Sequence, residues 1–77
     1  MVSLDEIRDL LVEACGSPEA GEPGVDLLER GLLDSLALIT LLEGLEDRGI
    51  ELIPTQLPKE IFRTAESILQ AARTAEM

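Results

Sequence analysis

Residues 31–36 read Gly31-Leu32-Leu33-Asp34-Ser35-Leu36, and this stretch decides how the chain folds. Asp34 is a residue type that caps helices, and the most apolar run of the chain follows it. The run ends at Gly49, which suits the left-handed position after a last helical turn, and Ile50 is placed to fold back on Leu45 as in a Schellman motif. The sequence therefore predicts a helix over residues 35–48.

This predicted helix has two different faces at about 100° per residue. One face collects leucines and is expected to pack in the core: Leu38, Leu41, Leu42 and Leu45. The other side, which we call the docking face, combines acidic and large aliphatic residues: Leu36, Ile39, Glu43, Glu46 and Asp47. Charge there would steer a basic partner and apolar contact would hold it. The alternative is an ordinary solvated face with two incidental exposed aliphatic residues.

Gly44 interrupts the same helix at a cost of about 1 kcal/mol relative to alanine. One explanation is the close approach of another segment at this position. The other is that the glycine is merely tolerated.

Two more main helices and one short helix are predicted around it. Ser3 and Glu6 form a capping box, and apolar residues at helical spacing follow over residues 4–15. A short third helix is expected near Pro58–Phe62. Thr64 is expected to cap the last helix, whose apolar positions are Ala65, Ile68, Leu69, Ala72 and Ala75.

The segment between the first two helices, residues 16–34, is rich in glycine and proline and predicts a long loop. A connection of this length is uncommon in so small a domain and is often functional. The expected fold is all-α, a small four-helix bundle of three main helices and one short helix, in a single domain of residues 1–77.

Composition excludes several classes of function. The chain has 16 acidic and 6 basic residues, a net charge of −10, no histidine, one phenylalanine and a single cysteine, Cys15. The charge disfavours nucleic acid and anionic membranes as partners, and the lack of histidine removes the usual general base and metal ligand. We expect no enzyme, no metal site, no disulfide and an aliphatic core against which Cys15 packs. Met1-Val2-Ser3 leads directly into charged residues and no apolar run approaches a membrane span, so we expect a cytoplasmic protein. We also expect a monomer.

Ser35 has two interpretations. It lies in the first turn of the predicted helix, where backbone N–H groups are unpaired and a phosphate ester would be favoured. Asp34 would then hold the cap and help to position a metal-bound phosphate donor. Alternatively, Asp34 and Ser35 are only a good helix start, because both residue types favour caps.

The wider pattern resembles the acyl carrier protein family. The similarity lies in residues 31–36, in the helix that ends at residues 45–50, and in the later segment Phe62-Arg63-Thr64-Ala65-Glu66-Ser67-Ile68. The resemblance implies a carrier without catalytic activity, to which a phosphopantetheinyl transferase attaches 4′-phosphopantetheine from coenzyme A at Ser35. It also implies recognition of acyl- or aminoacyl-loading and acceptor enzymes through the docking face.

The kind of carrier stays open between several alternatives. Residues 31–35 and the exit at residues 49–54 look like D-alanyl carrier proteins, although Leu36 stands where an aromatic residue is familiar and a tryptophan near Phe62 is absent. The pattern Phe62-x-Thr64 is shared with ordinary acyl and peptidyl carriers, so carriers of fatty-acid, polyketide and peptide synthesis stay open as alternatives. A protein of another class, an unmodified acidic helical adaptor, would use the same docking face.

Overall fold

The computed structural model describes residues 2–76, and Met1 and Met77, the ends of the predicted domain, lie outside the described residues. Residues 2–76 form three α-helices, α1 (Leu4–Cys15), α2 (Ser35–Glu46) and α3 (Ala65–Glu76), and no β-strand. Three 3₁₀ helices accompany them: Pro18–Gly21, Pro54–Gln56 and Lys59–Phe62. The all-α prediction is confirmed. The four-helix bundle is not confirmed, because the short helix predicted near Pro58–Phe62 is a 3₁₀ helix of four residues, Lys59–Phe62.

Helix α1 begins at the predicted capping box. The Ser3 hydroxyl accepts the Glu6 backbone N–H at 3.2 Å, and the Glu6 carboxylate accepts the Ser3 backbone N–H at 3.3 Å. Two of the N–H groups that a helix start leaves unpaired are thereby satisfied. The helix ends at Gly16, whose φ of 68° is left-handed and favours glycine.

Helix α2 is two residues shorter than predicted, because residues 47–49 form a turn. The predicted Schellman ending is present. The Ile50 N–H donates to the Leu45 carbonyl at 3.0 Å and the Gly49 N–H donates to the Glu46 carbonyl at 2.9 Å. Gly49 has a φ of 79°, which an L side chain rarely adopts. Leu45 and Ile50 are both buried, so the motif also anchors the helix end in the core.

Helix α3 begins with a reciprocal cap of two hydroxyl side chains. Thr64 Oγ1 accepts the Ser67 N–H at 3.1 Å, and Ser67 Oγ accepts the Thr64 N–H at 3.2 Å. The predicted role of Thr64 as the cap is confirmed. Each of the three helices has 12 residues, and none in the described part of the chain has the length and apolar character of a membrane span.

The core is aliphatic apart from one phenylalanine. Its fully buried large side chains come from all three helices and from the segments between them: Ile7, Leu11, Leu27, Leu41, Leu45, Ile50 and Ile68. Helix α1 packs against both α2 and α3. Cys15 is half-buried against this core, as predicted, and burial together with the charge of Asp34 raises the pKa of its thiol.

Gly44 marks the close approach of α1 and α2. A Cβ atom at this position would lie 2.5 Å from Cδ2 of Leu10, which is itself buried in the core. That distance is far below van der Waals contact, so the two helices meet where one of them lacks a side chain. Of the two explanations that the sequence left open, close packing is the one observed.

The segment of residues 16–34 is more ordered than the predicted loop. It contains the first 3₁₀ helix, Pro18–Gly21, and it buries Ala20, Leu27 and Leu33. The Leu27 N–H donates to the Arg63 carbonyl at 2.7 Å, and the Arg63 guanidinium donates to the Asp26 carboxylate, also at 2.7 Å. The segment is therefore fastened to the residues that follow the third 3₁₀ helix.

Candidate functional site

Ser35 is the first residue of α2 and is exposed. The preceding Asp34 is the N-cap, and its carboxylate accepts the Ala37 N–H at 2.8 Å. The Ser35 hydroxyl has no hydrogen-bond partner among residues 2–76. Because Asp34 holds the cap, the serine oxygen is left accessible for a reaction.

The other serines of the chain have structural roles. The sequence contains four serines, of which Ser3 caps α1 and Ser17 caps the first 3₁₀ helix by accepting the Glu19 N–H at 3.3 Å. The Ser67 hydroxyl is partly buried, takes part in the cap of α3 and donates to the Ile61 carbonyl at 2.7 Å. Ser35 is thus the serine whose side chain the fold does not use.

A surface cleft lies beside Ser35. One side is formed by the start of α2, the second by the segment before it and the third by the Lys59–Phe62 3₁₀ helix. Four of its lining residues are apolar: Leu28, Leu33, Leu38 and Phe62. The other three are Asp34, Ser35 and Lys59. Lys59 and Ser35 thus line the same surface depression.

The docking face is exposed along the length of α2. Leu36 is 73% exposed and Ile39 is 54% exposed, while Leu41 on the opposite face is buried. The three acidic side chains, Glu43, Glu46 and Asp47, are exposed and form no ion pair within residues 2–76. The sequence-predicted residues therefore share one solvent-facing surface that begins next to Ser35. Their role in partner binding stays a prediction.

The described residues contain no group of three histidine, cysteine, aspartate or glutamate side chains that could hold a metal ion. Asp34 contributes a single carboxylate, and that carboxylate also serves the helix cap. A metal ion that met Asp34 would have to bring most of its ligands with it, as a Mg²⁺ ion bound to phosphates does.

Two features of the site were missed by sequence reasoning. The sequence assigned no role to individual basic residues, but Lys59 lines the cleft beside Ser35, and Arg63 ties Asp26 to the third 3₁₀ helix. Spacing along the chain gives no signal for either contact, because the partners lie far apart in sequence. Only the tertiary fold shows that residues 58–62 lie near the start of α2.

Comparison with known proteins gives a consistent result. The model of one protein family, PP-binding: Phosphopantetheine attachment site, matches residues 5–72. The D-alanyl carrier protein of Bacillus subtilis (strain 168) is 33% identical over 66 residues, which cover 83% of this chain and 85% of that protein. The D-alanyl carrier protein of Bacillus velezensis (strain DSM 23117 / BGSC 10A6 / LMG 26770 / FZB42) shows the same identity and coverage. The matched residues include Ser17, Ser35 and Ser67 but not Ser3.

Proposed function

This chain belongs to the phosphopantetheine-attachment family, and we propose that Ser35 is the serine that carries its 4′-phosphopantetheine. The cofactor is attached covalently to a serine, and members of the family are non-catalytic carriers. When bound, the group supplies a thiol on a flexible arm, to which an acyl or aminoacyl group is joined as a thioester. The chain is therefore a carrier and not an enzyme.

One observation supports Ser35 above the other serines: its hydroxyl is exposed and free of hydrogen bonds within residues 2–76, whereas the others cap helices. Modification of Ser17 or Ser67 would disrupt a cap and cost folding stability. A phosphate ester on Ser35 would instead face the N–H groups at the start of α2, where negative charge is favoured.

The residues around Ser35 fit the chemistry of attachment. The serine oxygen attacks the phosphorus of coenzyme A that bears the pantetheine, the pyrophosphate P–O bond breaks, and 3′,5′-ADP leaves. The transferase accepts the hydroxyl proton, since the described chain offers no histidine as a base. Asp34 is adjacent to the reacting oxygen, and its carboxylate helps to position the metal-bound phosphates of the donor.

Partner enzymes are proposed to bind the docking face. Its three unpaired carboxylates sit in a protein with a net charge of −10, so they attract basic surfaces at long range. Leu36 and Ile39 then supply the apolar contact beside the reactive arm. Weak, charge-steered complexes suit a carrier that must release its cargo to the next enzyme. The partners are the phosphopantetheinyl transferase and the enzymes that load and unload the arm.

For the cargo we propose an aminoacyl group, with D-alanine first. The two curated relatives are D-alanyl carrier proteins, and their similarity spans most of this chain. The proposal takes residues 1–77 as one monomeric carrier unit that works in the cytoplasm.

The attachment is tested by intact mass spectrometry. The protein is incubated with a broad-specificity phosphopantetheinyl transferase and coenzyme A, and its mass is expected to rise by one phosphopantetheine. Ser35→Ala should prevent the change, and the matched control Ser17→Ala should still be modified. A wild-type mass that never changes would favour the unmodified adaptor. Modification of Ser35→Ala would assign the site elsewhere.

The cargo is tested on the modified protein. A D-alanine-activating ligase with ATP should add one alanyl group to the thiol, and hydroxylamine, which cleaves thioesters, should remove it. A malonyl-loading enzyme offered to the same protein should give little product. Efficient malonyl loading with no alanyl transfer would replace the aminoacyl proposal by a fatty-acid or polyketide carrier.

A further inference from the structure

We propose that Lys59 binds the phosphodiester formed on Ser35 and holds it over the cleft beside α2. This inference rests on the proposed attachment at Ser35 but adds a residue to it. It makes Lys59 a positioning residue for the prosthetic group, because its ammonium would orient the phosphate through which the arm is attached to Ser35.

The first argument is the shared cleft. Ser35 and Lys59 line the same depression, and Leu38 from α2 and Phe62 from the 3₁₀ helix add apolar surface to it. The lysine stem is long and flexible, so its ammonium can follow a phosphate that projects from Ser35. An apolar lining lowers the local dielectric constant and strengthens an ion pair formed at the rim.

The second argument is the state of the other cations. The chain has six basic residues, and four of them form ion pairs: Arg8, Arg30, Arg48 and Arg63. Lys59 and Arg73 form none within residues 2–76, and Arg73 lies in the last turn of α3, outside the cleft lining. Lys59 is therefore the cation available at the cleft in a strongly acidic protein.

The acidic neighbours of Lys59 are already engaged. The Glu60 carboxylate accepts the Arg63 Nε at 3.0 Å. Asp34, which also lines the cleft, accepts the Ala37 N–H in the helix cap. Neither carboxylate is paired with Lys59, so the ammonium is left to an incoming anion.

The third argument is the rigidity of the element that carries Lys59. The Lys59–Phe62 3₁₀ helix buries Phe62 in the core, and the residue after it, Arg63, is fixed on two sides. Its guanidinium donates to Asp26 and its carbonyl accepts the Leu27 N–H, both at 2.7 Å. The backbone next to Lys59 is thus tied to the segment that precedes α2, and an anchored backbone reduces the entropy lost on forming the contact.

The chemistry of the two groups is complementary. A phosphodiester keeps one negative charge over the whole neutral pH range, and a lysine ammonium is a compact charge that binds phosphate oxygens through up to three donors. The N–H groups at the start of α2 that Asp34 does not cap would be available to the same phosphate. The ester would accordingly lie between the helix start and the ammonium.

The test uses nuclear magnetic resonance of the wild-type protein before and after modification. Lys59 is the only lysine of the sequence, so its ¹³Cε and ¹⁵Nζ signals are assigned without ambiguity. We expect both signals to move on modification and to move back at about 1 M salt, where the Debye length is about 3 Å. The unmodified protein mixed with coenzyme A, without transferase, should show little change.

A matched pair of variants gives the second readout. Lys59→Gln and Arg73→Gln each remove one unpaired positive charge from an exposed position. In the modified proteins, the ³¹P signal of the phosphodiester should shift in Lys59→Gln and stay at its wild-type position in Arg73→Gln. The measurement needs no activity assay, and circular dichroism checks that both variants fold.

The outcomes separate this inference from the proposed attachment. If the mass rises at Ser35 while the lysine and ³¹P signals do not respond, Lys59 does not hold the phosphodiester and the attachment stands. If coenzyme A alone produces the full lysine shift, Lys59 binds free cofactor phosphates instead, and the inference is wrong. If Ser35 is never modified, both proposals fail.

Discussion

The carboxylate of Asp26 accepts a hydrogen bond from the guanidinium of Arg63, with 2.7 Å between Oδ2 and Nη1. Its other oxygen accepts the N–H groups of Glu29 at 2.9 Å and Leu28 at 3.1 Å. One carboxylate therefore closes a local turn before α2 and also fastens that turn to the 3₁₀ helix that carries Lys59. Leu28 from this turn and Lys59 from the 3₁₀ helix both line the cleft beside Ser35.

Strong acid is expected to weaken this contact, because it protonates the Asp26 carboxylate. The Glu29 N–H and then the Arg63 guanidinium hold the pKa of the Asp26 carboxyl below its ordinary value. A carboxyl whose pKa is lower in the folded than in the unfolded protein stabilises the fold. This stabilisation is fully present above the unfolded-state pKa of about 3.9, and it is lost as the pH falls through the folded-state pKa. Asp26→Asn should therefore lower the free energy of unfolding near neutral pH and lose that difference in acid.

Urea unfolding measured between about pH 7 and about pH 2 checks this prediction. Asp9→Asn, which removes an exposed carboxylate from α1, is the control and should leave the curve close to wild type. A deficit in Asp26→Asn that is equally large at both ends of the pH range would mean that the ionised carboxylate does not stabilise the fold.

The close approach at Gly44 predicts that Gly44→Ala changes the free energy of unfolding in opposite directions in two different backgrounds. Alanine is favoured over glycine in a helix by about 1 kcal/mol, but overpacking costs about 1–3 kcal/mol. Because the new Cβ would meet Leu10 Cδ2 at 2.5 Å, Gly44→Ala should lower the free energy of unfolding by up to about 2 kcal/mol. In a Leu10→Val background, which lacks that methyl group, the same substitution should stabilise by up to about 1 kcal/mol.

Chemical denaturation of the four proteins in this cycle gives the coupling between the two positions. Equal effects of Gly44→Ala in both backgrounds would show that Leu10 does not limit the position. The glycine would then be tolerated and not required by the packing of α1 on α2.

Asp34 is expected to have two roles that two substitutions separate. Asparagine caps helices about as well as aspartate, so Asp34→Asn should keep stability within about 0.5 kcal/mol, whereas Asp34→Ala should lose about 1 kcal/mol with its Ala37 hydrogen bond. The carboxylate charge is absent in both variants. If the carboxylate positions a metal-bound donor, both variants should be modified at least about tenfold more slowly than the wild type.

Thermal unfolding and the initial rate of mass gain measure the two roles separately. One kcal/mol corresponds to roughly 4–8 °C in the midpoint for a chain of this size. Modification of Asp34→Asn at the wild-type rate would restrict Asp34 to capping α2.

The features that the sequence predicted well depend on near neighbours. The capping box of Ser3 and Glu6, the Asp34 cap and the Schellman ending at Gly49 each involve residues no more than five positions apart. Their geometry follows from the helix itself, so residue types and spacing suffice. The exposed side of α2 was predictable for the same reason, because a helical period assigns its faces.

The features that were missed depend on how distant segments meet. Asp26 and Arg63 are 37 positions apart, and neither has a local pattern that indicates the other. Lys59 lines the cleft, and Leu10 lies against Gly44, because segments far apart in the sequence pack together. The third 3₁₀ helix was predicted in the right place but not in kind. With only four residues it is too short for more than about one α-helical turn.

Charge on the docking face is expected to control the rate of partner encounter. Glu43 and Asp47 are exposed, lie four positions apart and form no ion pair within residues 2–76. We consider the variant in which both are replaced by lysine. Association with the transferase should slow by about tenfold or more at low salt, and the difference should shrink as salt is raised. Stopped-flow binding or modification rates over a salt series measure this.

The matched control reverses Asp9 and Glu13, an exposed acidic pair at the same spacing on α1. It alters the net charge by the same amount on a different surface. Equal slowing in the two double variants would show that net charge, and not the docking face, steers the partner.

The apolar end of the docking face is expected to control how long a partner stays. Leu36 is 73% exposed, so Leu36→Ala should change the free energy of unfolding by no more than about 0.5 kcal/mol. If Leu36 fills an apolar pocket on the partner beside Ser35, its truncation should weaken binding by about 5- to 30-fold, which corresponds to about 1–2 kcal/mol, mostly through faster dissociation. Ile53→Ala is the control, since Ile53 is also an exposed aliphatic residue, at 43%, but lies outside the docking face. Surface plasmon resonance against the transferase and the loading ligase compares the variants, and an equal loss in both would leave Leu36 without a specific contact.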